Sequence, residues 1–262
     1  MNKSLQALIF DVDGTLAETE RDGHRVAFNQ AFAEAGLGWE WSVDLYRALV
    51  TVGGGKERLN FYLDHYHPNF HPPGNDRIEF IKDLHHRKTA YYQTLLKQIP
   101  LRPGVRRLIS EAREEGLRLA IATTSTLINA ETLIQQAFGP DALGWFEVIA
   151  AGDIVAKKKP APDIYNYVLE QMALSPAECL VFEDTAQGLQ AAIAAGLTTI
   201  ITVHGYSHHE DFTGAALVLN HLGERDEPFE LIQGDRYGHP YFDVALAQKI
   251  QANSNPTYSS PN

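Results

Sequence analysis

The chain has 262 residues, 44% hydrophobic and 21% charged, enough apolar material for one large core or for a core with a smaller companion. A formal net charge of −11 repels nucleic acid and acidic membrane surfaces, so any anionic ligand must be held by local lysines and arginines. The single cysteine, Cys179, excludes an internal disulfide and a multi-cysteine metal site, and no run approaches the ~18 apolar residues of a membrane span.

In chain order, the first element is ALIF (7–10), an apolar run that stops at Asp11. It is too short for a signal-peptide core, so the chain reads as soluble and cytoplasmic. Four more runs read as strands: LRLAIAT (117–123), EVIAA (147–151), CLVF (179–182) and TTIITV (198–203). Continuous runs of this kind suit parallel strands buried on both faces. Helical patterns alternate with them, such as Val105, Leu108, Ile109 and Ala112 ending at Gly116. This predicts an α/β fold, a parallel sheet between helices.

Residues 21–97 break the alternation. Phe28, Ala31, Phe32 and Ala35 form one helical stripe ending at Gly36, and Leu59, Tyr62, Leu63 and Tyr66 form another. A third helix is expected over 76–97, before Pro100. The pattern predicts an all-helical insertion at 21–97 within an α/β core made of 1–20 and 98–250. Residues 251–262, QANSNPTYSSPN, are polar and rich in Pro, Ser and Asn, and are expected to be a disordered tail.

Chemistry collects at the strand ends. Side chains at i and i+2 of a strand point to the same side, so Asp11 and Asp13 can face one crevice at the carboxyl end of the sheet, where α/β proteins bind ligands. Two close carboxylates repel and call for a cation or a shared proton; Mg²⁺ suits such oxygen ligands. An EF-hand is excluded, because its fifth and sixth positions would be Thr15 and Leu16. After later strands come the hydroxyls Thr123, Thr124 and Ser125, then Lys159 before Pro160, then Glu183 and Asp184. Singly, each has a bland reading: a solvated turn, a helix cap, or a solvated lysine face, as Lys157 and Lys158 are expected to be. Together they supply a carboxylate nucleophile, metal ligands and donors for phosphoryl oxygens.

DVDGT, Thr123, KPAPDIY and FEDTAQG resemble, in order and spacing, the four motifs of the haloacid dehalogenase superfamily. LIFDVDGTLAETERDGHRVAFN with GGKER (54–58) is more closely similar to the CbbY group, which dephosphorylates xylulose-1,5-bisphosphate, an inhibitory misfire product of Rubisco in the Calvin cycle. The resemblance implies a Rossmann-like core whose helical insertion is a cap domain. It implies Asp11 as nucleophile through an aspartyl-phosphate, Asp13 as general acid and base, and Thr123 and Lys159 as holders of the transferring oxygens. Mg²⁺ would be bound by Asp11, the Asp13 backbone carbonyl and Asp184, with Glu183 at or beside the ion. The substrate, a small sugar phosphate, would meet Gly54, Gly55, Lys56, Glu57 and Arg58, with the two cations on a distal phosphate. Glu18, Thr124 and Ser125 are further expected contacts. No nucleic acid, membrane or obligate protein partner is implied.

The chain departs from the pattern twice. Gly53 stands where a Thr is expected before GGKER. His24 follows Asp11 by 13 residues, one more than the corresponding His of the related β-phosphoglucomutases, so no role is carried over to it. A β-phosphoglucomutase shares every core motif and is the nearest alternative. A non-enzymatic phospho-acceptor module is more distant, being shorter and lacking a helical insertion.

Overall fold

The computed structural model describes residues 4–254. All five apolar runs are strands: β1 (Ala7–Phe10), β2 (Arg118–Thr123), β3 (Phe146–Ala151), β4 (Cys179–Glu183) and β5 (Thr198–Thr202). With β6 (Leu217–Leu219) and β7 (Leu231–Gly234) they form one sheet in the order β3-β2-β1-β4-β5-β6-β7. Every pairing is parallel except that of β6 with β7. The result is an α/β, Rossmann-like architecture in which β1, β2, β4 and β5 are buried on both faces, whereas β7 is exposed. Leu8, Phe10, Ile121 and Phe182 enter the apolar cluster on one face, and Ala7, Ile9, Ala120 and Val181 enter that on the other. Strand alternation between two cores is why these runs lack the polar residues of a half-solvated strand.

The helices are α1 (Arg25–Glu34), α2 (Val43–Leu49), α3 (Gly55–Tyr66), α4 (Arg77–Leu96), α5 (Val105–Glu114), α6 (Leu127–Phe138), α7 (Asp163–Met172), α8 (Ala186–Ala194) and α9 (Val244–Ser254). α5, α6 and α9 cover the first face, and α7 and α8 the second. α1 to α4 enclose a separate aromatic cluster that includes Phe28, Phe32, Trp41, Tyr46 and Tyr62. The Phe28/Ala31/Phe32 stripe is buried as its spacing implies, whereas Tyr66 ends the second stripe 46% exposed. α2 lies outside the patterns read from sequence; its start is marked by Ser42, whose side chain accepts the Leu45 N–H.

The two chain segments that join the helical insertion to the sheet touch. Ala17 bridges Leu101 antiparallel. The next residue, Arg102, is buried and donates to the carbonyls of Gly14, Thr202, Val203 and Asn220.

The expected disordered tail starts too early. Residues 251–254 continue α9, with Ile250 and Gln251 buried and the Gln251 amide donating to the Ala177 carbonyl at 2.9 Å. A glutamine satisfied by a backbone carbonyl can sit in a core contact, and composition does not reveal that partner. The remainder of that tail, 255–262, lies outside the described residues.

Candidate active site

The carboxyl ends of β1, β2 and β4 converge on Lys159. Its ammonium donates to Asp11 Oδ1 at 2.7 Å, Glu183 Oε1 at 2.5 Å and the Ala122 carbonyl at 2.8 Å. Burial opposes the charge on Lys159, but Asp11 and Glu183 outweigh it and hold the ammonium above its usual range. Glu183 Oε1 also accepts the Tyr165 hydroxyl at 2.6 Å, and Oε2 accepts the Asp184 N–H at 3.1 Å. This carboxylate fits only because residue 188 is glycine: a Cβ there would lie 2.0 Å from it.

Asp184 accepts Thr15 Oγ1 at 3.3 Å and His204 Nε2 at 2.7 Å. Oxygens of Asp11, Glu183 and Asp184 lie within 4.8 Å of one another. Burial first, and then the neighbouring carboxylates, raise the Asp11 and Asp184 carboxyls well above the usual range, with Lys159 opposing. Three buried carboxylates around one ammonium leave an excess of negative charge presented entirely by oxygen. That donor set fits a hard divalent cation such as Mg²⁺.

Asp13 turns away from this cluster and toward the helices. Its Oδ1 accepts Thr19 Oγ1 at 2.5 Å, His24 Nε2 at 2.8 Å and the Tyr92 hydroxyl at 2.9 Å. His24 Nδ1 lies 2.5 Å from Lys88 Nζ. Because an ammonium only donates, Nδ1 accepts, and the proton given to Asp13 sits on Nε2. Burial pushes the Asp13 carboxyl up, but the His24 imidazole, the Thr19 hydroxyl and the Lys88 ammonium outweigh it and hold it well below the carboxylate range. These donors stabilise its carboxylate form.

Two cavities meet at this residue. One, of about 280 Å³, is lined by Asp11, Thr123, Lys159, Glu183, Asp184 and His204, among others. The other, of about 250 Å³, lies under α1, α3 and α4 and is lined by Lys56, His85, Lys88, Ser125, Thr126 and Lys158, among others. Asp13, Glu20, Gly54, Arg58 and Thr124 border both. The second cavity is rich in cations. Burial lowers Lys88 to about 8, and burial together with Lys88 and Lys56 lowers His85 to about 3, leaving that ring neutral.

A family model described as haloacid dehalogenase-like hydrolase matches residues 5–196. A CbbY protein of Cupriavidus necator is 49% identical over 226 residues, 86% of this chain and 88% of the relative. The crystal structure of CbbY from Rhodobacter sphaeroides in complex with phosphate superposes with a TM-score of 0.76 at 45% identity, covering 83% of this chain and 94% of the other. A mutant of the same protein in complex with xylulose-(1,5)bisphosphate gives 0.77 at 44% identity with the same coverage. The chain belongs to the haloacid dehalogenase-like hydrolases. Within them it is a phosphatase of the CbbY group.

In this CbbY-type phosphatase the strand-end residues Asp11, Thr123, Lys159, Glu183 and Asp184 all line one cavity. Asp13 shares that cavity with Asp11, but its carboxylate is bonded to Thr19, His24 and Tyr92. Thr123 Oγ1 accepts the Ser125 N–H at 3.1 Å, while Thr124 and Ser125 border the cationic cavity. Gly54, at φ +92°, is pressed against the Glu57 carboxylate, and Gly55 against His85. Lys56, Glu57 and Arg58 form the first turn of α3 rather than a connecting loop.

Lys56 pairs with Asp153 of the core, and Lys158 pairs with Asp153 and Glu57, each at 3.1 Å. Lys158 is therefore no solvated face: it is 15% exposed and ties the core to α3. Arg58 borders both cavities, yet its donors already reach Glu20, Tyr46 and the carbonyls of Val50 and Val52. Glu18 pairs with Arg102 at 3.3 Å and is half exposed; it borders neither cavity, whereas Glu20 borders both. A Cβ at Gly53 would come within 3.2 Å of Gln187 Oε1 and 3.4 Å of the Lys159 carbonyl, so a threonine there would crowd the core loops.

Sequence reasoning missed Glu20, Lys88, His85 and Lys158, and left His24 without a role. His24 and Glu20 stand within the stretch after the first motif, and Lys158 stands directly before KPAPDIY, where it reads as solvated. Lys88 and His85 sit on α4, whose partners are far away in the chain.

Proposed function

We propose that this phosphatase is Mg²⁺-dependent and hydrolyses a sugar bisphosphate, xylulose-1,5-bisphosphate, removing an inhibitor of Rubisco within the Calvin cycle. The observation that carries the reading is the pair of cavities meeting at Asp13, one anionic and lined by the nucleophile, the other lined by Lys56, Lys88 and Lys158. A substrate with a phosphate at each end of a short carbon chain would place the reacting group on Asp11 and the other among the lysines. The bisphosphate bound to the Rhodobacter sphaeroides relative supports the same choice.

Asp11 attacks phosphorus, forming a carboxylate O–P bond as the sugar O–P bond breaks, and the leaving oxygen takes a proton from Asp13. Water then attacks the aspartyl-phosphate, giving a proton to Asp13 as the Asp11 O–P bond breaks. The Thr19, His24 and Tyr92 donors that stabilise the Asp13 carboxylate favour release of its proton in the first step and leave it ionised for the second. Thr123 and Lys159 supply fixed donors where charge develops on the phosphoryl oxygens. Asp11, Asp184 and the Asp13 carbonyl, with Glu183 beside them, would hold Mg²⁺, which neutralises phosphoryl charge; hydrolases of this family generally use that ion.

Phosphate release from sugar mono- and bisphosphates, with Mg²⁺ and with EDTA, tests the reading. Xylulose-1,5-bisphosphate should be preferred, EDTA should stop turnover, and Asp11→Asn should lower kcat by about 10⁴-fold or more. Wild-type turnover by Asp11→Asn would remove the nucleophile assignment. Equal rates on monophosphates would remove the bisphosphate preference. Conversion of β-glucose-1-phosphate to glucose-6-phosphate would identify a mutase instead.

A further inference from the structure

The chain leaving β5 runs back across the carboxyl end of the sheet, and its turn is closed on itself. The His204 N–H donates to Ser207 Oγ at 3.2 Å, and the Ser207 and His208 N–H groups both donate to the His204 carbonyl at 3.1 Å. Within that turn, His204 Nδ1 accepts the Tyr206 N–H at 3.3 Å. A ring whose Nδ1 accepts carries its proton on Nε2, and Nε2 is the atom 2.7 Å from Asp184 Oδ2.

The tautomer is therefore set by the backbone two residues further on, and the carboxylate receives a directed donor. Thr15 holds the other oxygen of Asp184. The pair also fills the space over Gly14, where a Cβ would lie 2.2 Å from Asp184 Oδ2 and 3.0 Å from His204 Nε2. Asp184 cannot turn without losing a hydrogen bond.

The same turn reaches the helical insertion. Tyr206 is buried within the aromatic cluster of α1 to α4, its ring edge-on to Tyr46 with centroids 5.8 Å apart. Tyr46 in turn donates to Glu20 at 2.5 Å. The Tyr206 hydroxyl is buried with no hydrogen-bond partner among the described residues. What holds Tyr206 in place is thus its ring, and burying the unpartnered hydroxyl works against that seat.

We propose that His204 is a positioning residue that holds Asp184 in its metal-ligating orientation, and that Tyr206 ties this orientation to the packing of the helical insertion. Partners one step removed from a metal change its affinity by 10–100-fold when lost, and unseating the Tyr206 ring would disturb the N–H that fixes the His204 tautomer. The proposal rests on the reading that Asp184 helps to hold Mg²⁺.

Calorimetric titration of the full chain with Mg²⁺, without substrate, tests it independently of turnover. His204→Leu keeps bulk and removes the donor, and should weaken Mg²⁺ binding about tenfold or more. His204→Gln restores an amide donor of similar reach and should recover most of the loss. Tyr206→Ala should weaken binding in the same direction, while Tyr206→Phe, which keeps the ring, should not.

Tight binding by the unaltered chain with equal affinity in His204→Leu would overturn the positioning role alone. So would a His204→Gln variant as impaired as His204→Leu. Equal affinity in Tyr206→Ala would overturn the tie to the helical insertion. Failure of the unaltered chain to bind Mg²⁺ would overturn the metal reading itself, and this proposal with it.

Discussion

The two cavities that meet at Asp13 are built on opposite electrostatic plans. At the strand ends, Lys159 is matched by Asp11 and Glu183, and Glu183 and Asp184 each accept on both oxygens. Under the helices, Lys88 is buried against the rings of Phe28 and Tyr92 with a histidine nitrogen as its hydrogen-bond partner. No carboxylate bonds to it among the described residues. Lys159 is matched by carboxylates that outnumber it and leave the strand ends anionic, fit for a cation. The charge of Lys88, bonded to no carboxylate among the described residues, is placed for a ligand of opposite sign.

The contrast can be broken first at Lys159. Lys159→Met leaves buried carboxylates without their cation, and should destabilise the protein by about 3–5 kcal/mol in EDTA, read from urea unfolding. A loss below about 1 kcal/mol in that experiment would show that Lys159 does not compensate these carboxylates within the fold.

Lys88→Met should do the reverse. With Lys88 lowered from 10.5 to about 8, the folded state releases a proton between those values while the unfolded chain keeps it. The unfolded state then binds more protons, so stability rises with pH across that window. Below it, the buried charge opposes folding by about 3 kcal/mol. The methionine variant should therefore be more stable at pH 7, with the gain gone near pH 10.5, while its KM for a bisphosphate rises. Urea unfolding at pH 7 and pH 10 checks the sign, and destabilisation at pH 7 would mean that the charge has a partner.

The smallest effect is expected at Lys158, whose ion pairs are partly solvated. Lys158→Ala should raise KM for a bisphosphate about fivefold, equivalent to about 1 kcal/mol, with kcat little changed. Steady-state rates on a bisphosphate and a monophosphate separate the two parameters, and an equal rise for both substrates would place Lys158 outside the second cavity.

The same contrast explains what could be read in the chain. Asp11, Lys159, Glu183 and Asp184 follow apolar runs, and a parallel strand buried on both faces leaves its chemistry at its end, so position in sequence and position in the site coincide. Lys88 and His85 lie on α4, within the largely polar stretch KDLHHRKTAYY. Nothing local distinguishes the lysine that meets His24 from the one in a solvated turn. Glu18 and Glu20 are two residues apart, but a π-helical turn over Glu20–His24 carries only the second to the cavities. β6, β7 and α9 escaped because their runs are short, or, as with Gln251, because a polar residue is buried by a partner far away. Gly188 was part of a recognised motif, yet its reason, room for the Glu183 carboxylate, is visible only in three dimensions.

The bridge between Ala17 and Leu101 has a consequence for how such a chain can diversify. The roughly eighty residues between these two points leave the sheet and return to it side by side, so the sheet experiences them as a short loop whatever they contain. Closing that loop adds little entropy that depends on its length, and the aromatic cluster inside it needs from the sheet side only the ring of Tyr206. A module attached this way can be lengthened, replaced or reshaped while the catalytic register of β1 stays where it is. New substrates can then be reached by reshaping one cassette that keeps the His24 and Tyr92 contacts to Asp13.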